Sequence, residues 1–380
     1  MPKETIKIVI GGDICPIGKN LPYFIRGEVS SIFNDLLPIF MEADLSIVNL
    51  ECPLVDKESP IEKVGPGLRV PSDCVNGLKQ AKIDVVNLAN NHIMDHGANG
   101  LFSTLKSCKE AGVSTIGAGG NIIEAREILI KEINGIKIGV IGLAEREFSI
   151  ATKSSSGANP LDLIDYVRNI NSKKGNFDHL IVLIHGGNEH YPFPSPRLKK
   201  VCRFFVEMGA NTVIVQHTHC SGCYEEYNKS FIVYGQGNLI FDFTGHNRSF
   251  YEGFLVELSI SEDLNSTVNL IPFSQSCSHV GARQLKNQRS VEFLEEIKKR
   301  SLAIKDDTFL KNQWLKFCER KKSAYLNRVY GLNLVLTKLI YRNLFVRLFL
   351  NRISLYQLQN TISCESHREV LETLLENRMI

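Results

Sequence analysis

The chain has 380 residues, enough for one large domain with an appendage. Hydrophobic residues make up 43% and charged residues 22%, the composition of a soluble globular protein that can bury a full core. Forty-four basic against 41 acidic residues leave a formal net charge of +3, too near balance for a nucleic-acid partner to be expected.

The N-terminus passes from Met1-Pro2-Lys3-Glu4-Thr5 straight into Ile6–Ile10 and then Gly11-Gly12. This short apolar run carries Lys7, so it reads as a first β-strand and not as a signal peptide. No window reaches about 18 uninterrupted apolar residues, so no spanning helix is expected. A cytoplasmic location, extended at most to the periphery of the inner membrane, is the resulting expectation. Further runs at Leu45–Leu50, Val85–Ala89, Lys137–Leu143, Leu180–Ile184, Thr212–Val215 and Ser230–Tyr234 read as buried strands. Asn99–Ala111 and Ser195–Met208 have helical length and amphipathic period. Gly253–Ile260 and Ser266–Pro272 add two strands with no helix between them. The alternation predicts a layered α/β domain over residues 1–285.

From about Asn287 glycine nearly vanishes, and Val291–Arg300, Thr308–Tyr325, Leu332–Leu350 and Ser366–Asn377 read as helices, a C-terminal helical extension over 286–380. In Leu332–Ile353, Lys338, Arg342, Arg347 and Arg352 interrupt a broad apolar surface. Such a helix either packs on the main domain with its basic groups reaching water or lies on an anionic membrane or in a partner's groove. Packing is the first expectation, because wide apolar faces belong to cores more often.

The informative residues follow the strands. Asp13 comes after the first, Glu51 after the second, Asn90-Asn91-His92 after the third, His185 after the fifth and His217 after the sixth. Ligands of open α/β sheets bind outside the carboxyl ends of the strands, so five polar clusters converge on one place. Taken singly, the aspartate reads as a helix cap and Asn-Asn-His as a turn. Gly11-Gly12 would let the backbone turn tightly beside a ligand. His217 and His219, two apart in an extended segment, would point to one side. Carboxylate, amide and imidazole donors from several strand ends suit one or two divalent cations. Of the ten cysteines only Cys220 and Cys223 form a C-x-x-C, expected to be reduced thiols. A structural zinc site from His217, His219, Cys220 and Cys223 is the weakest reading, since ligands so close in sequence leave little room for tetrahedral closure.

Gly-Asp at the first strand exit, Asn49-Leu50-Glu51, Asn87-Leu88-Ala89-Asn90-Asn91-His92-x-x-Asp95-x-Gly97, His185-Gly186-Gly187-x-Glu189, His217-x-His219 and Tyr234-Gly235-Gln236-Gly237-Asn238-Leu239-Ile240-Phe241-Asp242 occur in that order. Together they resemble the CapA family of capsule and poly-γ-glutamate biosynthesis proteins, relatives of the calcineurin-like metallophosphatases. The resemblance runs from about Ile6 to Pro272 and leaves the helical C-terminal region uncovered. It implies a metallophosphatase-like layered β-sandwich flanked by helices, with Mn, Zn, Fe or Mg in its site. Asp13, Glu51, Asn91, His185, His217 and His219 would be the ligands, Glu51 standing where relatives place a bridging aspartate. His92 and Asp95 would be catalytic, His92 as general acid to a leaving oxygen. Glu189, His190, Asn238 and Arg146 are the substrate-side candidates. Arg146 would meet an anionic group, or else pair with Glu145 or Glu147.

Two departures stand out. Metallophosphatases carry Asp-x-His at the first strand exit, whereas Cys15 stands here, either as a thiolate ligand or as core filling. Glu51 also displaces its carboxylate by one methylene relative to aspartate. The implied activity is hydrolysis of a phosphoester or amide during synthesis of an anionic surface polymer. The alternative is a non-catalytic accessory protein that docks to a membrane synthase or exporter through 332–353.

Overall fold

The computed structural model describes residues 5–243, 245, 247–330 and 352–377. In chain order its strands begin with β1 (Ile6–Cys15), β2 (Leu45–Leu50), β3 (Val85–Asn87), β4 (Ser114–Ile116), β5 (Ala118–Gly119) and β6 (Leu129–Ile133). There follow β7 (Ile136–Ala144), β8 (Gly157–Ala158), β9 (His179–His185), β10 (Thr212–Gln216), β11 (Tyr224–Tyr227) and β12 (Ser230–Tyr234). The set closes with β13 (Asn238–Phe241), β14 (Glu252–Ile260), β15 (Ser266–Gln275) and β16 (Ala282–Gln284). One sheet has the order β16-β15-β14-β1-β2-β3-β4, with β13 also parallel to β1. The second has the order β11-β12-β10-β9-β7-β6, and β5 pairs with β8 apart from both.

The alternation along β1 shows why two sheets stack. Ile6, Ile8 and Ile10 share a core with Ile138, Val140, Ile181, Leu183 and Ile214 of the second sheet, which is the inside of the sandwich. Val9, on the opposite face, joins Phe24, Phe33 and Phe40 under the outer helices. On the other flank Val182, Ile184 and Val213 pack against Leu198 and Phe205 of the helix Pro196–Glu207. Strands apolar on both faces are those with neighbours on both faces, so the expected layered α/β sandwich with outer helices is present.

The helices Asn287–Ala303, Asp307–Tyr330, Arg352–Ser363 and Glu365–Glu376 form the C-terminal part. Asn287–Ala303 inserts Phe293 and Ile297 into the core shared by both sheets. The later helices gather Trp314, Phe317, Cys318, Tyr325, Val370 and Leu374 around Tyr191. Tyr191 follows directly on the His185–His190 segment, so this small core seats the helices beside the strand ends. The helix expected at Leu332–Leu350, and with it most of the expected partner segment 332–353, lies outside the described residues. Among the described residues no helix is long and apolar enough to cross a membrane.

Candidate metal centre

The parallel strands of both sheets end at one edge. Parallel pairing sets Asp13 beside Asn49 of β2 and Asn238 of β13, while Gln216, the last residue of β10, pairs with His185 of β9. Gly11 and Gly12 are not the tight turn their spacing suggested; β1 continues through them to Cys15. Glycine is required there by close approach, since a Cβ at Gly12 would lie 2.0 Å from the carbonyl oxygen of Gly237. The histidine pair also departs from the extended geometry expected. His217 and His219 have φ of +88° and +51°, left-handed conformations that non-glycine residues adopt at a cost. The pair still converges, through backbone curvature and not strand alternation. One ligand atom each from Glu51, His217 and His219 lies within 4.8 Å of the others.

The other predicted ligands close around these three. His185 Nε2 lies 3.3 Å from Glu51 Oε1, 3.0 Å from Asn91 Oδ1 and 3.1 Å from His217 Nδ1. The His217 backbone N–H donates to Asp13 Oδ2 at 3.2 Å, and His219 Nδ1 lies 3.7 Å from the same oxygen. Asn238 Oδ1 is 2.8 Å from His219 Nδ1, so this substrate-side candidate orients a histidine instead. Asn49 is a hub that sequence reasoning quoted but gave no role. Its amide donates to Asp13 Oδ1 at 2.8 Å and lies 3.2 Å from His185 Nδ1, while its own oxygen accepts from Asn87 and Asn90. Its place in Asn-Leu-Glu, directly after the apolar pair Ile47-Val48 of a fully buried strand, is the signal that would have found it.

The electrostatics suit a cation. Both carboxylate oxygens of Glu51 are buried, and among the described residues neither takes part in a hydrogen bond. Burial, and then the Asp13 charge, push the Glu51 carboxyl well above its ordinary range. Burial likewise raises Asp13 against the pull of His219. Burial and the neighbouring His217 hold His185 well below the ordinary histidine range, as neutral imidazole, the form that binds metal. A buried carboxylate without a partner costs several kcal/mol unless a cation or proton meets it, on the order of the idealised penalties for buried polar groups. The donor set therefore fits a divalent metal. Cys15 stands in the outer core, in the same cluster as Cys52, outside the Glu51-His217-His219 group. Cys220 and Cys223 are buried free thiols, that of Cys220 pushed up to about 12 by burial.

His92 borders the ligands, with Nδ1 2.6 Å from Asp95 Oδ2, and Asp95 in turn accepts from the Leu68 N–H at 2.7 Å and pairs with Lys63. Burial lowers the His92 ring's proton affinity, against the Asp95 contact that raises it. With Nδ1–H held by Asp95, Nε2 is the ring nitrogen left to move a proton. His92, Glu189 and His190 line a cavity of about 340 Å³ together with Lys63, Glu147 and Phe250. Phe317, Tyr325 and His367 of the C-terminal helices complete its wall, a contribution not visible in the strand-end pattern. Arg146 is not on that wall. Its guanidinium lies 3.3 Å from Asp162 and 3.6 Å from Glu365, so neighbouring carboxylates take the charge that an anionic ligand was expected to meet. Neither Glu145 nor Glu147 is its partner. Glu145 is paired with Arg197, and Glu147 reaches Asn91 and His367.

The sequence profile of the bacterial capsule synthesis protein PGA_cap family matches residues 7–243, more than half of the chain. The chain belongs to that family. This PGA_cap-family chain is 28% identical to the capsule biosynthesis protein CapA of Bacillus anthracis over 281 residues, covering 71% of the chain and 68% of that protein. It is 30% identical to the PGA biosynthesis protein CapA of Bacillus subtilis (strain 168) over 217 residues. That match covers 56% of the chain and 57% of the relative, so the chain spans little more than half of its length. Among solved structures, the NAD nucleotidase of Haemophilus influenzae aligns with a TM-score of 0.44 and 11% identity, covering 78% of this chain and 56% of the nucleotidase. The family match ends at 243, so the helices that wall the cavity lie outside it.

Proposed function

We propose that this PGA_cap-family chain is a metal-dependent hydrolase that cleaves a phosphoester or amide bond in the synthesis of a capsule or poly-γ-glutamate type surface polymer. One observation carries the reading: Glu51, fully buried and, among the described residues, without a hydrogen-bond partner on either oxygen, faces His217 and His219, the latter on the wall of the cavity. Glu51, His217 and His219, joined by Asp13, Asn91 and His185, would hold one or two divalent cations. A cation bound there supplies Lewis acidity and a nucleophile at neutral pH. The chain's own residues do the rest. Asn49 orients Asp13 and His185, Asp95 holds Nδ1 of His92, and His92 Nε2 transfers a proton at the leaving atom. The names of the Bacillus relatives support a polymer substrate.

The test is elemental analysis of the full chain purified without chelator, beside a Glu51→Gln variant, followed by turnover of a phosphodiester and a γ-glutamyl peptide with Mn²⁺ or Zn²⁺. Bound metal that is lost in Glu51→Gln, with turnover of either substrate, is the expected result. Absence of metal from every preparation overturns the reading. Metal without turnover of either substrate transfers the site to the accessory role instead.

A further inference from the structure

A second group of metal-type donors lies where the C-terminal helices meet the sandwich. Glu147, in the segment after β7, and Cys364 and His367, at the start of the helix Glu365–Glu376, each offer one ligand atom, all within 4.8 Å of one another. We propose that Glu147, Cys364 and His367 form a separate site for a borderline divalent cation such as zinc, which staples the C-terminal helices to the rim of the metal centre.

Four observations support it. Carboxylate, thiol and imidazole are the donor types that zinc selects, and three protein ligands leave a fourth position for water. A tetrahedral zinc holds such atoms about 3.3–3.8 Å apart, from bond lengths of about 2.0–2.3 Å; Glu147 Oε1 and His367 Nε2 are 3.2 Å apart. The His367 ring is already oriented, because Tyr325 Oη lies 2.6 Å from Nδ1 and can accept its hydrogen bond, which turns Nε2 toward Glu147. Finally, Cys364 occupies the N-cap of its helix, buried, with its thiol beside the His367 backbone N–H. Serine, threonine, aspartate or asparagine would serve a cap better, so a thiol there calls for another use. The i, i+3 spacing of Cys364 and His367 puts both on one face of the first turn.

The site has a consequence for its neighbour. Glu147 Oε2 accepts from Asn91 Nδ2 at 3.3 Å, and Asn91 Oδ1 lies against His185, so one glutamate links the staple to the first centre. The proposal does not depend on hydrolysis, nor on metal at Glu51.

Cobalt(II) added to the metal-free full-length protein is the probe. A thiolate ligand produces a near-ultraviolet charge-transfer band that a site built from Glu51 and histidines does not produce. The band is expected in the wild type, kept in Glu51→Gln and Cys15→Ser, and lost in Cys364→Ser, where serine remains a sound N-cap. Cys364→Ser and His367→Asn should each lose one equivalent of metal by elemental analysis, while proteolysis of the C-terminal helices becomes faster. Absence of the band from the wild type overturns the proposal, as does its survival in Cys364→Ser. Loss of metal from the first centre alone leaves the band standing, so the two readings fail separately.

Discussion

Asn49 carries no charge and is fully buried, yet its amide reaches Asp13 on one side and His185 on the other. Groups that orient metal ligands from behind typically account for 10–100-fold in metal affinity. Asn49→Ala should therefore weaken metal binding by roughly that factor, read by competition with a chelator, without unfolding the chain. His92 predicts a different split. Its replacement by alanine should lower kcat by about 10²–10⁴, the usual range for a general acid or base, with metal content unchanged. Equal loss of metal would make His92 a ligand. At this scale the sequence was legible where a polar residue broke an apolar run. Glu51, His185, His217 and His219 stand at or just beyond strand ends, Asn91 and His92 follow β3 in a turn, and Asp13 lies inside β1 two residues from its end, yet all meet in space. Lys63, Glu147 and His367 follow no strand pattern, and their parts in the site depend on loops and helices brought from far along the chain.

Among the elements, the join between the sandwich and the C-terminal helices is more polar than a core. Fully buried Glu145 pairs with Arg197 and accepts from the Ser366 hydroxyl and the Gly187 N–H, while Glu369 accepts from Ser195 and Arg197. Burial pushes the Glu145 carboxyl up, but the Arg197 charge and the hydrogen bonds from Ser366, Gly187 and Arg197 together outweigh it and keep Glu145 below its usual range. Removing one member of such a pair strands the other. Arg197→Ala should destabilise the junction by on the order of 3 kcal/mol, less whatever water reaches the partly exposed arginine. The check is hydrogen exchange, with faster exchange expected in Glu365–Glu376 than in β9 or β10. The helices themselves were readable from composition and period. Their docking was not, because Tyr191, Trp314 and Phe317 carry no mark in sequence that they will stack together.

For the whole molecule, part of the acid stability rests on His179, buried at the start of β9 beside Thr212 and away from the metal centre. Burial pushes its pKa from 6.5 down to about 4, so the folded chain holds it neutral. In the unfolded chain it takes up a proton at about 6.5. The contribution to stability is complete above pH 6.5 and is lost as the pH falls toward 4, by about 3 kcal/mol in all. Urea midpoints should drop across that window in the wild type, and His179→Gln should flatten the drop; parallel curves would refute the assignment.

Nine of the sixteen strands of the described residues, the layered α/β class and the candidate donors near the strand ends were legible in the sequence, because burial on both faces demands β-branched runs and the polar groups that follow them stand out; the short strands, such as β4, β5, β8 and β16, were not. Tertiary structure alone decided the rest. Two sheets had to stack before the ends of β1, β2, β9 and β10 could share an edge. Left-handed backbone at His217 and His219, and not alternation along a strand, had to turn both rings inward. The C-terminal helices had to find Tyr191 before His367 could reach Glu147. The first and last of these are contacts between distant parts of the chain and the second is an aperiodic turn, and hydrophobic periodicity holds no record of either.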